Sequence, residues 1–140
     1  MDVPFVLGDA GRLPFRDGTF DAVGIAFAFR NLTYRNPGRD RYLAEIIRVL
    51  APGGRFVIVE SSRPGSRIMG VLVGLYLKIA VSFFGGILSG QRGAYRYLAR
   101  SAANFFPPGE LADLLRAAGF SVVTWRTFAY GAAALHVAIK

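Results

Sequence analysis

The stretch from Phe20 to Phe29 constrains the fold of this chain most. It reads FDAVGIAFAF, which is apolar without a regular alternation. A strand covered on both faces has this composition, as in a parallel sheet with helices on each side. Residues 16–19 (RDGT) form a turn by their chemistry, because Asp and Gly tolerate turn dihedral angles. The pattern predicts a buried strand over residues 20–28.

Polar side chains gather where this predicted strand ends. Arg30, Asn31 and Thr33 follow it directly. In open α/β sheets, ligands bind outside the carboxyl ends of the strands. If the chain has a site, Asp9 and residues 26–31 are expected to line part of it.

The remaining apolar periodicities and turn residues predict an alternating order of strands and helices. Strands are expected at 3–7, 20–28, 55–60, 120–128 and 133–139. Helices are expected over 68–88 and 92–103. Two further helices would run from Asp40 to a stop at Pro52-Gly53-Gly54 and from Glu110 to a C-terminal signal at Gly119. Tyr130-Gly131 would connect the last two strands as an antiparallel pair. This order predicts an α/β fold whose sheet is mostly parallel.

Residues 68–88 are the most apolar part of the chain and approach the length of a membrane span, about 20 residues. Lys78 lies near the middle of the segment, where it would cost roughly 2.5–3.5 kcal/mol on insertion. Four glycines also weaken the case for a span. A buried or interfacial helix is therefore the favoured interpretation.

Composition narrows the chemistry. The chain has 140 residues, 53% of them hydrophobic, and a net charge of +8, which suits an anionic lipid surface, nucleic acid or an acidic ligand. It has no cysteine, which excludes disulfides, thiolate metal sites and a cysteine nucleophile. His136 is the only histidine, so a histidine-rich metal site is excluded and no metal is expected. The acidic start Met1-Asp2 lacks the basic opening of a signal peptide.

Two long strings carry a family resemblance: GDAGRLPFRDGTFDAVGIAFAFRNL and RYLAEIIRVLAPGGRFVIVESSRP. Their LPF…FDAV and RVLAPGG segments resemble Class I S-adenosylmethionine methyltransferases in general. The strings AFAFRN, VESSRP, GGILSG, AYRYLARS and YGAAALHVAIK are more specific. Together they resemble the ubiquinone/menaquinone biosynthesis C-methyltransferases (the UbiE/MenG type).

The resemblance implies a single Rossmann-like methyltransferase domain over residues 1–140 that is truncated at its N-terminus. Sheets of this class resemble the order 3-2-1-4-5-7-6. Residues 3–7 would be strand 3 and residues 20–28 strand 4. The family's first two strands, with the glycine-rich turn that holds the methionine part of the cofactor, have no counterpart here. Strand 4 would then have an open edge that can recruit a second copy of the chain.

The resemblance also implies a cofactor site for S-adenosylmethionine. Asp9 and Ala10 match the family's contact with adenine, where a carboxylate accepts from the exocyclic amine. Ala26 matches a further position near the cofactor and would contribute backbone only. Without the resemblance, a turn in which Asp9 bonds its own backbone is the simpler interpretation.

Arg30 and Asn31 match the family's pair beside the substrate. A guanidinium is a poor base, so Arg30 would stabilise a developing phenolate or orient a water, and Asn31 would hydrogen-bond a ring oxygen. An ion pair between Arg30 and Glu60 is the structural alternative. Glu60 ends the neighbouring strand and is a candidate base.

Four further residues are weaker candidates. Tyr76, Tyr95 and Tyr97 would line the quinone pocket, although a place in the core suits them equally. His136 resembles a family histidine, but a lone histidine on a strand is more often a satisfied core residue.

The implied function is methyl transfer from S-adenosylmethionine to a ring carbon of a polyprenyl benzoquinol or naphthoquinol. The apolar 68–88 segment and the positive charge suit a lipid-soluble quinol taken up at a membrane surface by a cytoplasmic protein. Two alternatives are a non-catalytic remnant or binding subunit, and a methyltransferase of another small molecule. Nucleic acid is not an expected partner, because the arginines are scattered along the chain.

Overall fold

A computed structural model describes residues 3–63, 66–76 and 106–140. In chain order they form β1 (Phe20–Ala26), α1 (Phe29–Thr33), α2 (Arg39–Val49), β2 (Leu50–Ser61), α3 (Arg67–Tyr76), α4 (Pro108–Ala117), β3 (Val122–Phe128), a 3₁₀ helix (Ala129–Gly131) and β4 (Ala133–Ile139). The strands form one sheet in the order β1-β2-β4-β3. The α/β fold and the terminal antiparallel pair are confirmed.

The sheet is less parallel than predicted. Among the described strands β1 and β2 run parallel, whereas β4 is antiparallel to both β2 and β3. The reason is that β4 lies between two strands that point the same way. The carboxyl ends of β1, β2 and β3 consequently share one edge of the sheet, which we call the carboxyl edge.

The strand β2 begins earlier than predicted. The helix α2 ends at Val49, and β2 starts at Leu50 rather than at Arg55. Phe20 pairs with Leu50 and Ala22 pairs with Arg55, so the intervening Pro-Gly-Gly segment bulges out of the ladder. Gly53 in this bulge has φ +74°, which glycine adopts without strain. The segment therefore redirects the chain from helix to strand.

The hydrophobic core lies between the sheet and helices α1, α2 and α4. It is built from buried apolar side chains such as Phe29, Leu43, Phe56, Ile58 and Leu115. Full burial of a side chain of this size contributes about 1.5–3 kcal/mol. The rings of Phe29 and Phe56 meet edge to face with centroids 5.4 Å apart.

The opposite face of the sheet is more open than predicted for a strand covered on both faces. Ala22, Gly24 and Ala26 of β1 are exposed, and Val57 and Val59 of β2 are only partly buried. These residues alternate with the core-facing positions of the same strands. The described helices thus cover one face of the sheet. The sequence of β1 is nevertheless apolar on both faces.

The predicted strand over residues 3–7 is wrong. These residues have no regular structure, and the side chains of Phe5 and Leu7 are 97% and 101% exposed. An apolar run becomes a strand only when a neighbouring strand completes its hydrogen bonds. Among the described strands β1 pairs only with β2, so β1 is an edge of the sheet.

The helices also differ in detail from prediction. The helix α2 begins at Arg39 rather than at Asp40, with Gly38 as its N-cap. Asp40 lies in the first turn, where its negative charge interacts favourably with the helix dipole. The short helix α1 was not predicted. Only the first part of the 68–88 segment is described, as α3, and the helix predicted at 92–103 lies outside the described residues. Within the described ranges, no helix has the length and apolarity to cross a membrane.

Candidate active site

The carboxyl edge places Ala26 and Glu60 side by side. Ala26 ends β1 and pairs with Val59, the residue before Glu60. Phe27 follows with φ +53° and donates its N–H to the Val59 carbonyl at 2.8 Å. This left-handed residue turns the chain sharply, so that α1 begins at Phe29 directly above the end of β2. Ala26 itself is exposed, with a small side chain that leaves its backbone open.

Glu60 fastens α1 to the sheet. Its side chain is 5% exposed, and its Oε2 accepts the backbone N–H of Arg30 at 3.2 Å. Its Oε1 accepts the backbone N–H of Ser61 at 3.0 Å. A buried carboxylate needs such donors, because unpaired burial of a charge is costly. The structure therefore joins Arg30 and Glu60 through the backbone of Arg30, a link that the ion-pair alternative did not include.

The Arg30 side chain lies over an aromatic ring. Its guanidinium carbon is 4.9 Å from the ring centroid of Tyr34, and that of Arg35 is 5.4 Å from the same ring. Tyr34 in turn meets Phe106 edge to face at 5.9 Å. Cation–π contacts of this kind hold a guanidinium in place while it keeps its charge. Arg30 thus combines a backbone N–H that bonds Glu60 with a guanidinium that lies over the Tyr34 ring.

Asn31 adjoins this cation on α1. Its side chain is exposed, its N–H donates to the Ala28 carbonyl at 3.0 Å, and its carbonyl accepts from the Asn36 side chain at 3.0 Å. The backbone of Asn31 is therefore held on both sides, and its amide faces outward from a fixed position.

Asp9 and Ala10 lie on a loop that is anchored to α2. The Asp9 carboxylate accepts the Gly11 N–H at 2.9 Å and pairs with the Arg41 guanidinium. The Gly11 N–H, aided by Arg41, holds the pKa of Asp9 below its ordinary value, so the carboxylate is ionised. Its side chain is 58% exposed, and Ala10 is half-buried. The partners of Asp9 thus lie on its own loop and on α2, whereas those of Glu60 lie on α1 and β2.

A second anchor, not predicted from the sequence, holds the rest of this loop. Arg48 pairs with both oxygens of Glu45 at 2.8 and 2.9 Å and with Asp17 at 2.6 Å. Arg48 also donates to the Leu13 carbonyl at 3.1 Å, and Glu45 accepts the Leu13 N–H at 2.8 Å. The Arg48 side chain lowers the pKa of Glu45 to about 2. The i,i+3 spacing of Glu45 and Arg48 on one helix was the available signal.

His136 is a core residue. It is 1% exposed, its Nε2 lies 2.9 Å from the Pro108 carbonyl, and its ring stacks on Trp125 with centroids 6.4 Å apart. Burial lowers its pKa, so the ring is neutral and donates from Nε2 to that carbonyl. Nδ1 is buried with no hydrogen-bond partner among the described residues. His136 joins β4 to the first residue of α4.

A cavity of about 470 Å³ opens farther along the carboxyl edge. It is lined by Arg63 after β2, by Pro108 and Gly109 at the start of α4, and by residues 125 and 127–131. None of these residues was predicted as a site residue. Of the predicted pocket residues, Tyr95 and Tyr97 lie outside the described residues, and Tyr76 is the last residue of α3, with its side chain outside the description.

The fold is that of Class I methyltransferases. The observed order β1-β2-β4-β3 corresponds to strands 4-5-7-6 of the expected sheet. A SAM-dependent methyltransferase from Thermotoga maritima, described as a possible histamine N-methyltransferase, aligns with 97% of this chain and 64% of its own, with a TM-score of 0.63 at 22% identity. PigF with SAH aligns with 95% of this chain and 34% of its own, with a TM-score of 0.57 at 21% identity.

The sequence defines the family more narrowly. The ubiE/COQ5 methyltransferase family matches residues 1–140, and the chain belongs to that family. The demethylmenaquinone methyltransferase of Thermus thermophilus is 44% identical over 98% of this chain, and that of Deinococcus radiodurans is 41% identical over all of it. The chain spans 60% and 56% of the length of these two relatives.

Proposed function

We propose that this chain takes part in the transfer of a methyl group from S-adenosylmethionine to a ring carbon of a polyprenyl naphthoquinol, as in menaquinone biosynthesis. The observation that carries the proposal is the match of the whole chain to relatives named demethylmenaquinone methyltransferase. Those names favour a naphthoquinol over the benzoquinol of ubiquinone biosynthesis. A cation and an amide at the carboxyl edge suit an acceptor that becomes an anion.

The described residues fit the cofactor. The ionised Asp9 carboxylate uses two of its roughly four acceptor sites, for Gly11 and Arg41, and retains capacity for the adenine amine. Ala10 and Ala26 have small side chains that allow close approach to the backbone. When bound, S-adenosylmethionine supplies a methyl group on a positively charged sulfur, which is already activated for transfer.

The chain's own residues would prepare the acceptor. Loss of the quinol hydroxyl proton makes the ring carbon nucleophilic. That carbon would take the methyl group that S-adenosylmethionine supplies, with S-adenosylhomocysteine as the leaving group, and the ring would then lose its hydrogen as a proton. Arg30 would stabilise the phenolate as a fixed cation, and Asn31 would hydrogen-bond a ring oxygen. Water would take the proton, because a guanidinium holds its own protons too tightly.

Glu60 serves this scheme better as a positioning residue than as the base. Both of its oxygens receive backbone N–H groups, and its side chain is buried. These bonds direct the carboxylate at α1 and β2 rather than at an acceptor. Glu60 would fix the position from which Arg30 acts.

Contact with a membrane surface is supported by the exposed apolar side of α3. Ile68, Val71, Leu72 and Leu75 are 75%, 69%, 53% and 51% exposed. Together with the net charge of +8 they suit peripheral attachment to an anionic leaflet from the cytoplasm.

The open edge of β1 supports self-association through that edge.

Calorimetric titration with S-adenosylhomocysteine, followed by a methyl-transfer assay on a short-chain demethylmenaquinol, tests the proposal. Binding together with transfer to the naphthoquinol ring is the expected result. Binding without transfer to any quinol would favour the alternative of a non-catalytic subunit. Transfer to an unrelated small molecule in preference to quinols would contradict the proposed substrate.

A further inference from the structure

The cavity at the start of α4 has an aromatic lining. Trp125 is 45% exposed, Phe128 44% and Tyr130 85%, and all three line it. Of the described residues that line it, Arg63 alone is charged. Exposed aromatic surface concentrated in one concavity marks a binding site more often than scattered exposure does. The volume of about 470 Å³ lies within the range of small-molecule cavities, about 300–1,000 Å³.

The backbone around Tyr130 is held in left-handed conformations. Ala129 and Tyr130 have φ +48° and +55°, and Gly131 has φ +91°. Left-handed conformations of two successive non-glycine residues cost roughly 1–2 kcal/mol each and persist only when neighbours fix them. Ala132 donates its N–H to the Ala129 carbonyl at 3.0 Å, and Ser62 donates its hydroxyl to the Gly131 carbonyl at 2.6 Å.

Ser62 connects the cavity to the candidate active site. It follows Glu60 by two residues, is 5% exposed, and also donates its N–H to the Ala132 carbonyl at 2.9 Å. The wall of the cavity is therefore bonded to the same strand end that holds Glu60. The end of β2 is thus bonded both to Arg30, through Glu60, and to Gly131 of the cavity wall, through Ser62.

We infer that the cavity lined by Trp125, Phe128 and Tyr130 binds the polyprenyl tail of the quinol, an inference that rests on the proposed function. An isoprenoid chain carries no charge and gains by burial against aromatic rings. The lining matches that chemistry, because it offers apolar surface with no carboxylate among the described residues. The quinol ring would then be held from two directions, by its oxygens and by its tail.

Trp125 is the only tryptophan of the chain and reports directly on the cavity. Farnesol, with three isoprene units, would cover the indole and shift its emission to shorter wavelength. Prenol, with one unit, is the matched probe. We expect farnesol to bind the 140-residue chain at least roughly tenfold more tightly than prenol, because each added methylene contributes to burial. Equal affinities for the two alcohols would overturn the inference.

Substitutions locate the binding. Tyr130→Ser and Phe128→Ser should each weaken farnesol binding several-fold, whereas Phe5→Ser, at a 97% exposed ring outside the cavity, should leave it unchanged. Tyr130 is mostly exposed, so its loss leaves the core intact. An equal loss in all three variants would show non-specific adsorption and overturn the inference. Phosphatidylcholine vesicles that give the same shift, lost in the same two variants, would identify a lipid acyl chain instead and also overturn it.

The proposed function is tested by measurements that are separate from farnesol binding. Binding of S-adenosylhomocysteine and methyl transfer to a tail-less naphthoquinol do not involve the cavity. If these fail while farnesol still binds at Trp125, the proposed function falls and the apolar site stands. If they succeed and farnesol fails, the tail site alone is refuted.

Discussion

The Glu60 carboxylate accepts the backbone N–H of Arg30 at 3.2 Å across the gap between β2 and α1. Replacement of Glu60 by Ala removes this acceptor and that of Ser61, and should lower the free energy of unfolding by about 1–3 kcal/mol. Glu60→Gln retains an acceptor oxygen and should cost less. Urea unfolding measures both. Glu110→Ala, at an exposed first-turn glutamate of α4, is the control and should cost less than about 1 kcal/mol.

The Arg30 side chain is expected to act in turnover rather than in cofactor affinity. In an enzyme with the full complement of the family's strands, Arg30→Ala should lower kcat for the quinol strongly and leave the dissociation constant of S-adenosylhomocysteine nearly unchanged. Arg35→Ala is the matched control, since Arg35 contacts the same Tyr34 ring. An unchanged kcat and KM in Arg30→Ala would refute the catalytic role.

Asp9 is expected to contribute to cofactor binding beyond its role in the loop. Asp9→Ala should weaken S-adenosylmethionine binding several-fold, because the adenine amine loses its carboxylate acceptor. Arg41→Ala removes the ion pair but keeps the carboxylate, so it isolates the anchoring of the loop. If the two substitutions weaken binding equally, Asp9 acts only through the turn. Calorimetry on both variants decides between the two roles.

The buried, neutral His136 should make stability depend on pH. Its folded pKa lies below the unfolded value near 6.5, so the unfolded chain binds more protons below that pH. Stability is thus fully present above about pH 6.5 and declines as the pH falls toward the folded pKa. Unfolding midpoints in urea between pH 8 and pH 5 measure this decline. His136→Asn should remove most of it, because no other histidine exists in the chain.

Glu45 contributes a separate, more acidic transition. Its pKa of about 2 in the folded chain lies below its ordinary value near 4.5. The stability gained from Arg48 is therefore present above about pH 4.5 and lost as the pH falls toward 2. Glu45→Gln should abolish this loss of stability. Glu110→Gln, at the exposed first turn of α4, should not. Persistence of the loss in Glu45→Gln would assign it to other carboxylates.

The sequence predicts what local chemistry determines. The β4 bounds, the parallel neighbours β1 and β2, and the placement of Arg30, Asn31 and Glu60 at one edge follow from apolar runs and turn residues. Residues 3–7 look like a strand by composition, yet a strand needs a partner, and pairing is a property of the whole sheet.

The contacts that could not be predicted join residues distant in sequence. Ser62 reaches Gly131, and His136 reaches Pro108, only because β4 lies between β2 and β3. The aromatic cavity could not be predicted from the sequence for the same reason, because its lining residues are distant in sequence. Trp125 and Phe128 look like ordinary strand residues, and Tyr130 like a connecting residue, until the sheet brings them beside α4.

The open edge of β1 leads to the last prediction. Its sequence FDAVGIA has one charged residue, and Gly24 has space for a side chain, with only the Val57 carbonyl within 4 Å at 3.9 Å. Edge strands with few charges recruit other strands, and lysine on an edge prevents this. The pure chain should therefore sediment as a dimer or larger species, and Gly24→Lys should shift it toward monomer. Val122→Lys places the same charge on β3, the opposite edge strand, and should leave self-association unchanged. Sedimentation velocity over a range of concentrations measures the three proteins, and a monomeric parent chain at every concentration would contradict the prediction.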